Sequence, residues 1–196
     1  MCLELKALQE NVKCYVLYAS NCSIFAKKRM RILISGATGL VGKVLIKQAL
    51  LDGHEIHFLT RSKAKISFHK GVKGFYWNPN EHKIDAACFD GGDCMIHLAG
   101  ATVSKPWTKK YKTEILNSRL DTTQLLVDSL KNTKHKIKSI VSASAIGVYP
   151  SSLDKIHEEQ DPVAPNSFME QVVVCLLYTS DAADDSLRVD LGGRRI

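Results

Sequence analysis

The chain has 196 residues, 45% of them hydrophobic and 24% charged, so it is long enough for one ordinary domain and is composed like a soluble globular protein. No run of about 18 apolar residues occurs, which argues against a membrane span, and no membrane partner is expected. The net charge of +7 resolves into +3 over residues 1–29, +5 over 30–174 and −1 over 175–196; that mild basicity suits a phosphate ligand, and no aromatic-basic interleaving or helix-turn-helix pattern supports a nucleic acid.

Residues 1–29 lack the patterning that begins at Met30. Their basic cluster Lys27-Lys28-Arg29 comes after the apolar stretch 14–26 rather than before it, the wrong order for a secretory signal. The simplest expectation is that Met30 is the start and 1–29 is a non-native or unstructured extension. An organelle-targeting peptide is the alternative, though the segment is poor in Arg.

Arg31-Ile32-Leu33-Ile34-Ser35 is a short apolar run of the kind that forms a buried parallel strand. It leads into Gly36-Ala37-Thr38-Gly39-Leu40-Val41-Gly42, after which Val41, Val44, Leu45 and Ala49 recur at helical spacing and predict the buried face of a helix closed by Gly53. His54–Thr60 reads as the next strand. A glycine-rich turn between a strand and a helix, within a β-α-β unit, is the context in which it binds a dinucleotide. Gly36 permits the tight turn, Gly39 lets a pyrophosphate reach the backbone, and Gly42 lets the helix approach the sheet. The helix N-terminus offers free N–H groups and a partial positive charge. The spacing is G-x-x-G-x-x-G, and Val44 after Lys43 rules out a Walker A loop.

The end of the second strand separates NAD from NADP. An acidic residue there would hold the ribose 2′-hydroxyl of NAD. This chain has Thr60-Arg61-Ser62-Lys63 instead. Arg61 is expected to clamp a 2′-phosphate with Ser62 donating a hydrogen bond, so NADP(H) is preferred over NAD(H); the plainer alternative is a solvated basic loop. Asp93–Ala101 reads as a later parallel strand reaching the ligand crevice, where small Ala99 and Gly100 leave room for the cofactor. The expected cofactor contacts are Gly36, Thr38, Gly39, Leu40, Val41, Gly42, Arg61, Ser62, Leu98, Ala99 and Gly100. His97 invites an acid–base role, but a histidine inside a buried strand is more often structural. The other histidines form no ligand pattern, and no metal site is expected. Of the six cysteines only Cys88 and Cys94 lie in the patterned middle. Their spacing fits no zinc or redox motif, which points to free thiols in a reducing, cytoplasmic compartment.

With these residues in view the chain resembles the extended (atypical) short-chain dehydrogenase/reductase superfamily, and within it the NAD-dependent epimerase/dehydratase proteins of the YfcH type. The resemblance rests on MRILISGATGLVG (30–42), FLTR (58–61), YWNP (76–79), DCMIHLAGATV (93–103), WTKKYKTEILNSRLDTTQLLVDSL (107–130) and SASAIGVYP (142–150), in that order. It implies an α/β fold: a Rossmann-like doubly wound parallel sheet, here truncated at the C-terminal side. It implies an epimerase or oxidoreductase acting on a small carbonyl or sugar-type substrate. It also implies that Ser144, at the end of the strand opened by Ile140-Val141, hydrogen-bonds the reacting substrate oxygen; a merely polar strand-end serine is the alternative. Arg119, in the helix beside the nicotinamide half, reads as structural rather than catalytic.

One departure bears on chemistry. The superfamily's Tyr-x-x-x-Lys pair moves a proton, but no tyrosine here has a lysine four residues on, and Phe168-Met169-Glu170-Gln171-Val172 stands at the expected place. Tyr149 is a candidate substitute acid, against the commoner packing role of a strand-end tyrosine. A non-catalytic NADP(H) sensor or scaffold is therefore a second expectation, and whether the protein is an enzyme stays open. Residues 175–196 show neither helical nor strand periodicity and resemble a translated transposon-type sequencing adapter. On that expectation the tail is non-native, 30–174 is an incomplete dinucleotide-binding domain, and this chain is a fragment.

Overall fold

The computed structural model describes residues 29–66, 71–143, 149, 154, 156 and 167–174. Strand β1 (Arg31–Ser35) is the apolar run expected from the sequence, and Ile32, Leu33, Ile34 and Ser35 are all buried. It sits at the centre of a sheet, because a strand with apolar side chains on both faces needs a covering layer on each side. The other elements are α1 (Leu40–Leu51), β2 (Glu55–Thr60), β3 (Val72–Asn78), β4 (Lys83–Ile84), β5 (Cys94–His97), α2 (Lys109–Asn132) and β6 (Ser139–Ser142).

The strand order is β4-β3-β2-β1-β5-β6. Pairs β1–β2, β2–β3, β1–β5 and β5–β6 are parallel, and among the described strands only the short β4 is antiparallel, folded back on β3 as a hairpin. The chain winds outward from β1 through β2 and β3, then crosses to β5 and β6 on the other side. The point where the winding reverses lies between β1 and β5, and it opens a crevice at the carboxyl ends of those strands.

Alternation along the strands sorts the core into two layers. Ile32, Ile34, Ile56, Phe58, Cys94 and Ile96 point to the α1 side and pack with Ile46 and Ala49. Leu33, Leu59, Phe75, Trp77, Cys88, Phe89 and Met95 point to the other side and pack with Leu125, Leu126 and Leu130 of α2. Thr108 caps α2: its Oγ1 accepts the Tyr111 N–H at 3.2 Å.

The buried face of α1 differs from the expected one. Gly42, Ile46 and Ala49 are buried and Leu45 is half-buried, whereas Val41 and Val44 are 58% and 63% exposed. The cause is the approach at Gly42. A Cβ there would lie 2.7 Å from the Ala37 Cα, so the glycine itself must face the sheet, and positions 42, 46 and 49 follow it as one stripe. Strand limits are also tighter than expected. β2 starts at Glu55 rather than His54, and β5 stops at His97. The Leu98 N–H still donates to Ser35 O at 3.2 Å, but the chain then turns away to pass beside Gly36.

Candidate dinucleotide-binding site

The turn at the end of β1 is held by its own backbone. Gly36 has φ +72°, a conformation that side-chain-bearing residues rarely adopt, and a Cβ on it would stand 2.7 Å from the Leu98 carbonyl and 2.9 Å from the Ala99 nitrogen. Both the backbone angle and the neighbouring strand end demand glycine here. The Gly39 N–H donates to Gly36 O at 3.0 Å, and the Lys43 N–H to Gly39 O at 3.1 Å. Gly39 is the N-cap of α1 and supplies no side-chain cap, and no acidic residue lies in the first turn. The opening amides of α1 therefore have neither a side-chain cap nor a negative charge competing for an anion. Thr38 is half-buried, and Gly39, Leu40 and Val41 are exposed at the mouth.

At the end of β2, Thr60 Oγ1 accepts the Ser62 N–H at 3.2 Å, which closes a small turn and leaves Arg61 exposed at its tip. Because β2 pairs directly with β1, Arg61 and Ser62 stand beside the glycine turn. Lys63 is drawn aside, its Nζ 5.3 Å above the Tyr76 ring.

Below the crevice runs a chain of polar groups of fixed direction. The Leu98 N–H donates to Ser35 Oγ (3.2 Å), and the Ser35 hydroxyl lies 2.6 Å from His97 Nδ1. On the other side of the ring, His97 Nε2 lies 3.2 Å from Thr123 Oγ1, whose proton goes to Arg119 O at 2.8 Å. With that threonine hydroxyl already donating, Nε2 carries the ring proton and Nδ1 accepts. Burial, aided by the Arg119 charge, pulls the His97 pKa down to about 4. His97 is thus neutral at pH 7 with both nitrogens engaged, which is the structural role the sequence favoured.

The crevice itself measures about 160 Å³ and is lined by His97, Leu98, Ala99, Gly100, Arg119, Ser142 and Ala143, with Met169, Val172 and Val173 as an apolar wall. Gly100 lets the Arg119 side chain lie close, since a Cβ there would stand 3.2 Å from Arg119 Cζ. The helical segment 168–174 carries no acid–base pair at the crevice. Phe168 lies edge-on to Trp107 at 5.9 Å between centroids, under Lys112 Nζ at 5.2 Å, and Val172 is buried against Tyr111 and Ile115.

The structure therefore brings Gly36–Gly42, Arg61–Ser62 and Leu98–Gly100 to one edge of the sheet. Ser144 lies outside the described residues, and Tyr149 is half-buried in a bend. Sequence reasoning did not anticipate Ser35 or the paired threonines Thr122 and Thr123 as parts of the site's frame. Ser35 carried the one available signal, a polar side chain closing an otherwise apolar strand. Among the described residues no cluster of His, Cys, Asp and Glu forms a metal site, and no helix is long and apolar enough to cross a membrane.

A parallel sheet reversing its winding at a glycine turn, with that turn packed against the chain leaving β5, defines a Rossmann-fold protein of the NAD(P)-binding type. The chain belongs to the NAD dependent epimerase/dehydratase family, whose model matches residues 32–168. An epimerase family protein of Staphylococcus saprophyticus is 36% identical over 143 residues, covering 72% of this chain and 46% of the relative. The chloroplastic epimerase family protein SDR39U1 homolog of Arabidopsis thaliana is 31% identical over 178 residues, covering 87% of this chain and 50% of the relative. Among solved structures, human epimerase family protein SDR39U1, crystallised with NADPH, superposes with a TM-score of 0.63 at 26% identity, covering 77% of this chain and 48% of that one. A nucleoside-diphosphate sugar epimerase of Corynebacterium glutamicum also gives 0.63, at 25% identity, covering 81% and 32%. The chain spans about half the length of the curated relatives it matches.

Proposed function

We propose that this protein binds NADP(H) across the carboxyl ends of β1, β2 and β5. The unit that does so is residues 30–174. The diphosphate rests on the opening amides of α1, Arg61 and Ser62 hold the 2′-phosphate, and Leu98, Ala99 and Gly100 leave room for the rest of the cofactor. The observation that carries this reading is the uncapped first turn of α1 at the point where the sheet reverses its winding. The basic residue at the end of β2 supports the NADP(H) preference, as does the NADPH bound by human SDR39U1. When bound, the nicotinamide supplies a hydride donor or acceptor. The reaction this suits is epimerase-like or oxidoreductive chemistry on a small carbonyl or sugar-type substrate, with Ser144 and Tyr149 as the candidates to hold the reacting oxygen.

A second reading, an NADP(H)-binding sensor or scaffold without turnover, is favoured by Phe168 and Val172, since neither side chain can move a proton or carry charge. Calorimetry with NADPH and NADH separates the cofactors. Arg61→Asp should weaken NADPH by about tenfold to a hundredfold and leave NADH unchanged, the loss of a charge-assisted phosphate contact. Equal binding of both cofactors to both proteins would remove the specificity argument. A carbonyl-substrate screen followed at 340 nm, the absorbance of reduced nicotinamide, then decides between enzyme and sensor.

A further inference from the structure

Among the described residues Arg119 is the one cation lining the crevice, and its surroundings do not account for its charge. It sits on α2 and is only partly exposed, with its guanidinium lying against Gly100. One terminal nitrogen, Nη1, donates to Ile115 O at 2.9 Å and Ala101 O at 3.2 Å. These are neutral carbonyls, and they fix the plane of the group. Among the described residues no carboxylate pairs with it, since the ion pairs there all involve Arg29, Arg31 or Lys83. His97, close enough to feel its charge, is neutral and offers no compensation. A half-buried guanidinium held in one orientation, without a counter-ion, is a costly arrangement unless an anion completes it. A structural arginine that only tied α2 to the 98–101 segment would not need to line the crevice, yet Arg119 does.

We propose that Arg119 is an anion-binding residue of the crevice that holds a phosphate oxygen at the Gly100 end. The inference rests on the proposed binding of NADP(H) and adds a residue and a polarity to it. The favoured source of the phosphate is the dinucleotide's own diphosphate. Its charge would then be met from two sides, by helix amides across the turn and by a fixed guanidinium beside Gly100. The other source is a phosphate carried by the substrate, as in a nucleoside-diphosphate compound. The apolar wall of Met169, Val172 and Val173 offers no second charge to such a group, so Arg119 would be its main anchor.

The test compares wild type, Arg119→Gln and Arg119→Lys by calorimetry with three probes. NADPH carries the diphosphate. Adenosine 2′,5′-bisphosphate reports the adenosine half alone, and with it whether the site is folded. UDP, titrated into protein saturated with NADP+, stands for a substrate phosphate. The expected result is that Arg119→Gln weakens NADPH by about tenfold or more while adenosine 2′,5′-bisphosphate is unchanged, and that Arg119→Lys recovers part of the loss. NADPH unchanged, with UDP binding present in wild type and lost in Arg119→Gln, also supports the proposal and assigns the phosphate to the substrate. Equal affinity of all three proteins for every probe overturns it and leaves the assignment of the dinucleotide site standing. Wild type that binds neither NADPH nor adenosine 2′,5′-bisphosphate overturns both.

Discussion

His97 illustrates how a single residue can be tempting by type and settled by surroundings. It lies beneath the crevice, where an acid or base would be useful, but Ser35 and Thr123 occupy its two nitrogens. Its effect falls on stability. The folded pKa of about 4 is below the ordinary value of 6.5, so between those limits the unfolded chain takes up a proton that the folded chain refuses. Stability is then complete above about pH 6.5 and falls as the pH drops towards 4, by on the order of 3 kcal/mol for this one group. His57, also lowered by burial, acts in the same direction. Urea denaturation at pH 7.5 and pH 5 should show the loss, and His97→Gln should flatten the pH dependence while lowering stability at pH 7.5. An unchanged slope in that variant would assign the effect elsewhere. At this scale the glycine turn was readable in advance. Gly36 and Gly42 are legible because few other residues tolerate such angles or approaches. Arg61 is legible because its place at a strand end is fixed by the motif before it. Arg119 gives no comparable signal, because nothing in a sequence shows that an arginine has neutral neighbours.

Elements were legible to the extent that one layer of packing determined them. β1, α1 and β2 follow from a buried apolar run, a glycine turn and helical spacing. The rotation of α1 does not, because Val41-Val44-Leu45-Ala49 and Gly42-Ile46-Ala49 are both plausible faces, and the contact of Gly42 with Ala37 decides between them. That decision can be checked with two substitutions of opposite expectation. Ile46→Ala, which removes a side chain only 1% exposed, should cost about 2–5 kcal/mol. Val44→Glu, on the open face, should stay within about 0.5 kcal/mol of wild type. Thermal melts of the two would reverse in order if Val44 were the buried residue. β3 and its hairpin partner β4 escaped a reading by pattern. In β3 Lys73 is exposed, and Gly74 lies so close to Phe58 that a Cβ would meet its Cζ at 2.8 Å. A strand interrupted in this way carries a weak apolar signature on its own.

For the whole molecule, the doubly wound topology was foreseeable from the family resemblance, and it agrees with the rule that parallel strands joined by helices leave few other arrangements. The two layers it creates are chemically marked. Cys94 belongs to the layer under α1 and Cys88 to the layer under α2. Both are free thiols, and burial raises their pKa values to about 11 and about 12 respectively. Neither forms appreciable thiolate at neutral pH, so alkylation of either must wait for the structure around it to open. The pair is therefore an internal reporter of how cooperatively the two sides of the sheet come apart. Pulsed iodoacetamide labelling in rising urea, read peptide by peptide in a mass spectrometer, should modify Cys88 and Cys94 together if the layers separate as one unit. Modification of one well before the other would mean that one helical layer peels away while the opposite side of the sheet stays closed.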